Sequence, residues 1–168
     1  MRKKLILTAI LALLLAVAGV PLAFAGGGSD DDDDVRILEL TTRTLQEADL
    51  DLGASGPSIG DRFVGSEAAF RDGERVGMTG FECIVVQFTP GPDPAGEPEA
   101  VTVQCVATLS LREGQITAQG LVDFTGPGPF TFAITGGTGA YRTAHGEVAL
   151  TEESPTVDRL RLKLILDD

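Results

Sequence analysis

Apolar and polar residues alternate along most of this chain, in short segments that end at turn-forming residues. The clearest case is the segment 100–112. One face of it carries only apolar residues, namely Val101, Val103, Cys105, Ala107, Leu109 and Leu111. Near the C-terminus, Leu160, Leu162, Leu164 and Leu166 alternate in the same way with Arg161, Lys163 and Ile165. A period of two is typical of β-strands that have one dry face and one mostly wet face.

Segments rich in Val, Ile, Thr and Phe recur between Gly, Pro and Asp clusters, and each one predicts a strand. We predict eight strands, at approximately 35–45, 62–71, 75–88, 100–112, 115–124, 130–135, 141–152 and 156–166. Short connections that contain glycine favour antiparallel hairpins between consecutive strands. No helical segment is available to cover an open sheet, and closure removes exposed edges. The fold class is therefore predicted to be all-β, an eight-stranded antiparallel up-and-down β-barrel rather than a sandwich.

The N-terminus has a different composition. Arg2, Lys3 and Lys4 precede an apolar run that reaches the small residues around Ala25. This order is typical of a secretory signal peptide, and the run is shorter than the roughly 20 residues of a membrane-spanning helix. We predict a signal peptide over 1–25, a disordered Gly/Asp-rich linker over 26–34 and one barrel domain over 35–168. The mature protein should be secreted, in the extracellular space or the cell envelope, without stable membrane insertion.

Charge and histidine content narrow the range of partners and cofactors. The chain has 25 acidic and 13 basic residues and a net charge of −12, which disfavours nucleic acid and anionic membrane surfaces as partners. A neutral apolar molecule is not repelled. His145 is the only histidine, which leaves no histidine cluster for zinc and no evident catalytic triad. We expect no metal, and we expect His145 to be a surface strand residue.

The two cysteines, Cys83 and Cys105, stand at matching distances from the Pro/Gly-rich turn that joins their predicted strands. A symmetric hairpin would place them opposite each other. The predicted oxidising compartment also favours a disulfide. The alternative is two separate buried thiols, because a bridge needs a suitable Cα separation and side-chain direction as well.

A run of residues in the predicted sixth hairpin carries a family resemblance. The sequence Ala133-Ile134-Thr135-Gly136-Gly137-Thr138-Gly139-Ala140-Tyr141 resembles the Ile-x-Gly-Gly-x-Gly-x-aromatic hairpin of allene oxide cyclases and dirigent proteins. Further matches occur in the same order as in the cyclases, at Gly60-Asp61, Arg75-Val76-Gly77, Thr79, Cys83 and Gln119-Gly120. The resemblance covers nearly all of 35–166. It implies a barrel with an apolar interior that binds a small hydrophobic ligand, and assembly as a homotrimer.

The resemblance also implies candidate functional residues. Glu39 aligns with a cyclase cavity glutamate that is thought to assist epoxide opening, and it is our candidate catalytic residue. The alternative is that Glu39 lies near the strand end in water. Thr41 and Ser66 stand where cyclases have cavity asparagines, which argues against allene oxide cyclase activity in particular.

Aromatic residues at strand spacing are candidates for lining a pocket, although such residues are more often ordinary core. The candidate ligand-binding residues are Phe81, Phe124 and Phe132. The expected function is cofactor-independent cyclisation or isomerisation of a hydrophobic molecule. The alternative is a non-catalytic extracellular carrier that resembles a lipocalin, or an envelope binding protein.

Overall fold

The computed structural model describes residues 34–93 and 98–167. The predicted signal peptide lies outside the described residues, and so does the predicted linker up to residue 33. Within the described part of the chain, no helix is long and apolar enough to cross a membrane.

The described residues form a closed antiparallel barrel in which each strand pairs with the next and the last pairs with the first. The eight strands are β1 (Asp34–Leu50), β2 (Arg62–Arg71), β3 (Glu74–Thr89), β4 (Ala100–Leu111), β5 (Gly114–Asp123), β6 (Phe130–Gly137), β7 (His145–Ser154) and β8 (Val157–Leu166). This confirms the predicted fold class and strand number. Closure follows from the pairing of β1 with β8, which leaves no unpaired edge in the sheet.

The connection between β6 and β7 is longer than the sequence predicted. A short 3₁₀-helix over Gly139–Tyr141 follows β6, and β7 begins at His145 rather than at residue 141. Tyr141 is buried, and the backbone N–H of Ala140 donates a hydrogen bond to the carbonyl of Glu113 in the β4–β5 turn. The predicted start of this strand was wrong because the helical turn, and not a strand, brings the Tyr141 ring into the core.

One end of the barrel is filled by its own side chains. At this end, which we call the packed end, Leu38 and Leu40 of β1 lie opposite Leu162 and Leu160 of β8. These leucines share a core with further buried residues, namely Ala69, Leu109, Ile116, Ile134, Tyr141, Ala144, Val148, Leu164 and Leu166. The predicted leucine face of β8 is therefore confirmed as the inner face of the barrel.

The two cysteines are joined as predicted. Cys83 of β3 and Cys105 of β4 are register partners, with Cα atoms 4.0 Å apart, and their sulfur atoms form a disulfide. Both side chains are buried on the inner face, where they pack with Val85, Val103 and Val122. The bridge thus ties two neighbouring strands together halfway along the barrel wall.

Candidate functional site

A cavity of about 320 Å³ occupies the other half of the barrel interior. We call this half the mouth, because residues at the ends of the strands and in the β7–β8 turn border it, including Phe124, Phe130, Ser154 and Pro155. A volume of this size lies within the range of small-molecule sites. The packed end closes the cavity from below, so the mouth is the side from which a ligand would enter.

One wall of the cavity is aromatic. Its rings are Phe63, Phe81, Phe124, Phe130 and Phe132. At the mouth, the ring of Phe124 meets those of Phe63 and Phe130 edge to face, with centroids 6.1 Å and 5.6 Å away. Edge-to-face pairs of this kind hold the rings in fixed orientations. The wall therefore offers a preformed apolar surface to a flat or hydrophobic ligand.

A second part of the cavity lining, which we call the acidic wall, carries carboxyl groups. It carries the carboxyl groups of Glu47 on β1, Glu67 on β2, Glu152 on β7 and Asp158 on β8. Among the described residues that line the cavity, there is no Lys, Arg or His. The lining thus combines apolar rings with carboxyl groups whose charge no cationic side chain among these described residues neutralises.

Glu67, which is buried, and Asp158, which is half-buried, form the centre of the acidic wall. Only 8% of Glu67 is exposed. Loss of hydration raises the pKa of Glu67, the Thr42 hydroxyl opposes that rise, and the negative charge of Asp158 adds to it. Burial likewise raises the pKa of Asp158, while a hydrogen bond from Glu67 lowers it. Glu67 and Asp158 thus influence each other's protonation, and we refer to them as the carboxyl pair.

A buried hydroxyl group lies next to this pair. Thr79 of β3 is the register partner of Glu67 and lines the cavity. Only 6% of Thr79 is exposed, and its Oγ1 atom has no hydrogen-bond partner within the described protein. A buried hydroxyl without a partner is costly, so a polar ligand group placed here would gain a ready donor and acceptor.

The strand phase explains why these residues face inward. Asp158 is two residues before Leu160 and therefore belongs to the leucine face of β8. Glu67 is two residues before the fully buried Ala69. The sequence analysis missed both residues. Both could have been identified from the sequence, because each is a carboxylate on the same strand face as residues that are apolar and buried.

A β-bulge brings Glu47 into the same wall. In the pairing of β1 with β2, Thr44 lies opposite Glu67 and Glu47 lies opposite Gly65, with the register shifting between Thr44 and Gln46. Leu45 is thus the extra residue, and its side chain is about half exposed. Because a bulge changes the alternation of a strand, Glu47 faces the cavity where regular alternation would have placed Gln46.

Glu39 does not line this cavity. Its side chain is 67% exposed, and its Oε1 atom lies 3.6 Å from the Arg161 guanidinium on β8. Val35 and Ile37, which share its strand face, are also about half exposed. The inner face of β1 is the alternate one, with Leu38 and Leu40. The alternative noted from the sequence, a glutamate in water, describes this residue.

The other predicted positions agree better with the structure. Phe81, Phe124 and Phe132 all line the cavity, and their role in ligand binding stays a prediction. His145 is exposed at the first position of β7, as expected. Over residues 34–93 and 98–167, no group of three or more His, Cys, Asp or Glu side chains is placed to hold a metal ion.

Comparisons with known proteins agree with the architecture. The family model described as allene oxide cyclase barrel like domain matches residues 40–165. Among solved structures, a pyocyanin demethylase is 31% identical, with a TM-score of 0.65 over 77% of this chain and 99% of that chain. The comparison with curated proteins found no match.

More distant structures share the fold alone. The exo-specific intermolecular Diels-Alderase AbnU is 18% identical, with a TM-score of 0.60 over 78% of this chain and 98% of its own. The pterocarpan synthase dirigent protein PsPTS1 is 13% identical, with a TM-score of 0.59 over 80% of this chain and 97% of its own.

Proposed function

The chain belongs to the allene oxide cyclase barrel-like family, and from this premise we propose that its cavity binds a small hydrophobic molecule and directs an isomerisation or cyclisation of it without a cofactor. One observation carries the proposal: phenylalanine rings and a carboxyl pair line the same cavity of about 320 Å³. The aromatic wall supplies affinity and orientation. The carboxyl pair supplies groups that exchange protons.

The chemistry of the pair suits proton transfer. A protonated Glu67 donates a proton to one atom of the ligand, and the Asp158 carboxylate accepts a proton from another, so that one proton enters the ligand and one leaves. Raised carboxyl pKa values bring both groups closer to neutral pH, where general acids and bases work best. The closed barrel holds the ligand in one conformation and away from water, which favours one product over others.

Binding in the cavity is tested with a neutral fluorescent probe, N-phenylnaphthylamine, whose emission rises in apolar surroundings. Ala107 lines the cavity, whereas its neighbour Val106 is exposed on the outer face. We expect Ala107→Phe to fill the cavity and weaken binding by at least about tenfold. Val106→Phe, the matched control, should bind as the wild type does. Equal binding by both variants would place the probe outside the cavity and refute this part of the proposal.

The reaction is tested with pyocyanin first, because the 31% identical relative acts on that molecule. Compounds that co-purify with the protein from its host, identified by native mass spectrometry, extend the panel. For any compound that is converted, Glu67→Gln should lower kcat by roughly 100-fold or more, the usual size of general acid–base catalysis. Glu39→Gln, which changes an exposed carboxylate on the outer wall, should leave kcat unchanged. Full activity in Glu67→Gln would show that the carboxyl pair takes no part in the reaction.

The second candidate function is a non-catalytic carrier. It is favoured by the aromatic wall, which contributes affinity but no reactive group, and by the outer position of Glu39. A carrier would release its bound compound unchanged. A ligand recovered from the cavity with the same mass and stereochemistry after prolonged incubation, in wild type and in Glu67→Gln alike, would support this function over the first.

Export and assembly are further parts of the proposal. The sequence of residues 1–25 supports secretion to the extracellular space or the cell envelope, and the intact mass of protein from the native host should begin at Gly26. The family resemblance supports a homotrimer. Light scattering on the purified protein should then give three times the mass of one chain.

A further inference from the structure

The charge of the cavity bears on which hydrophobic molecules it accepts. Four carboxyl groups line one wall, at Glu47, Glu67, Glu152 and Asp158, and no cationic side chain among the described residues lines the cavity. The nearest arginine on β8, Arg159, pairs with Glu153 instead of entering the cavity. An acidic ligand would therefore meet uncompensated negative charge at short range, where the low dielectric of an apolar site strengthens repulsion.

A second and independent feature marks the place of a polar ligand group. Only 6% of Thr79 is exposed. Its Oγ1 atom has no hydrogen-bond partner within the described protein. Thr79 is the register partner of Glu67. The Thr79 hydroxyl and Glu67 thus lie next to each other in the cavity wall, on strands that also carry Phe81 and Phe63.

We propose that the cavity selects aromatic molecules that carry a basic amine on an aliphatic carbon, that is, arylalkylamines, which are protonated at neutral pH. The nitrogen donates its hydrogen bonds to the Glu67–Asp158 pair and to Thr79, and the ring system packs on the aromatic wall. This inference rests on the proposed function, because it names the class of ligand for the same cavity. It excludes fatty acids and other carboxylates as the preferred ligands.

The physical reason is that a protonated amine restores charge balance where the protein provides none. Four carboxyl groups line the cavity and no cationic side chain among the described residues does, so a ligand cation neutralises charge that the protein leaves uncompensated. Charge-assisted hydrogen bonds are stronger than neutral ones. Phenylalanine faces also attract cations, so both walls of the cavity favour the same ligand charge.

The test uses three naphthalene derivatives of similar size that differ in one group: naphthylmethylamine, naphthylmethanol and naphthoic acid. Each competes with N-phenylnaphthylamine for the wild-type protein at pH 7. We expect the amine to bind about tenfold more tightly than the alcohol, and the acid to bind at least about tenfold more weakly than the alcohol. All three should lose affinity in Ala107→Phe. Amine binding that survives in this variant would lie on the acidic outer surface, and would overturn the inference.

A double variant shows whether the carboxyl pair causes the preference. In Glu67→Gln/Asp158→Asn, the amine and the alcohol should bind within about twofold of each other, with the affinity of the alcohol unchanged. The matched control is Glu39→Gln/Glu147→Gln, which removes the same number of charges from exposed positions and should keep the preference. If the buried double variant does not fold, Glu47→Gln/Glu152→Gln changes only exposed carboxylates and should still reduce the preference for the amine.

The outcomes separate this inference from the proposed function. Equal binding of amine, alcohol and acid would overturn the preference for basic ligands but leave ligand binding in the cavity intact. Tighter binding of the acid would also overturn it. If none of the three compounds binds and the neutral probe does not bind either, both the inference and the proposed function are refuted.

Discussion

Burial sets what each carboxyl group of this barrel can do. Glu39 and Glu67 have the same side chain, yet Glu39 is 67% exposed beside Arg161 and Glu67 is almost entirely enclosed. Water stabilises the charge of the first group. The second group loses that hydration, and its pKa rises for that reason. Of the two, only Glu67 lies inside the barrel, where a carboxyl group with a raised pKa can serve as a proton donor.

The raised pKa of Glu67 predicts how folding stability depends on pH. The folded protein binds this proton more tightly than the unfolded chain does, so the stabilisation is complete below the ordinary carboxyl pKa and is lost as the pH rises through the raised value. Gln has no charge to desolvate. We therefore expect Glu67→Gln to raise the Tm by a few degrees at pH 8 and to change it little at pH 4, measured by thermal unfolding.

Other titrating groups must be separated from Glu67 in this experiment. The carboxylates whose charges act on the pair are Glu47, Glu152 and Glu153, and they remain in both proteins. Glu39→Gln controls for the loss of one negative charge from the outer wall and should give a similar small change at both pH values. A fall in Tm at pH 8 for Glu67→Gln would mean that the ionised carboxylate is stabilising, against the argument from burial.

At the scale of strands, the sequence predicts the closed barrel, but it does not predict which face of β1 points into the barrel. The period-two patterns of β4 and β8 predicted their inner faces correctly, because one face of each is almost entirely apolar. β1 has apolar residues on both faces, with Val35 and Ile37 on one and Leu38 and Leu40 on the other. Pairing with the leucine face of β8 decides between them, and that pairing is a long-range contact that β1 alone does not encode.

Irregularities in the strands account for the parts of the site that the sequence did not reveal. The bulge at Leu45 turns Glu47 inward, and no residue type in that segment marks the bulge. The 3₁₀-turn before β7 depends on a contact between Ala140 and Glu113, which are far apart in sequence. Glu67 and Asp158 could have been predicted from the sequence. Each lies on the same face as the buried residues of a strand whose bounds were predicted almost correctly.

Packing between β2 and β3 depends on a glycine in the cavity wall. Gly65 is the register partner of Phe81, and a Cβ atom at Gly65 would lie 2.5 Å from Cζ of the Phe81 ring and 3.0 Å from the Gln46 carbonyl oxygen. Gly65→Ala should push the ring into the cavity. We expect a loss of about 1–3 kcal/mol in the free energy of unfolding, as for other overpacked cores, together with weaker binding of N-phenylnaphthylamine.

Gly80 provides the matched control for this substitution. It lies on the neighbouring strand β3, and a Cβ atom added there has no atom within 4 Å. Chemical denaturation should show Gly80→Ala to be at least as stable as the wild type, because alanine restricts the unfolded chain more than glycine does. Equal losses in both variants would indicate a general intolerance of side chains in these strands and would contradict the proposed contact with Phe81.

For the whole molecule, the cavity arises from where small and large inner residues lie. Leucines fill the packed end, whereas one level of the wall towards the mouth consists of Gly65, Phe81, Ala107 and Ala118, which are successive register partners across four strands. Gly65 accommodates the Phe81 ring, and the small side chains of Ala107 and Ala118 line the cavity on the next two strands. The sequence predicted a closed cylinder, but free volume depends on how four separate strands align, which no single segment specifies.

Net charge is the other property of the whole molecule that has a testable consequence. The chain carries a net charge of −12 at pH 7, and mutual repulsion among its carboxylates opposes the compact state. Salt screens this repulsion. At pH 7 the Tm should therefore rise by several degrees as NaCl increases from about 0.02 M to 0.3 M, because the Debye length shortens across that range. At pH 4.4, close to the isoelectric point, the net charge vanishes and the same addition of salt should have little effect. A Tm that falls with salt at pH 7 would show that attractive ion pairs such as Arg62–Glu82 and Arg161–Glu39 outweigh the repulsion. The excess negative charge would then not lower the stability of the fold.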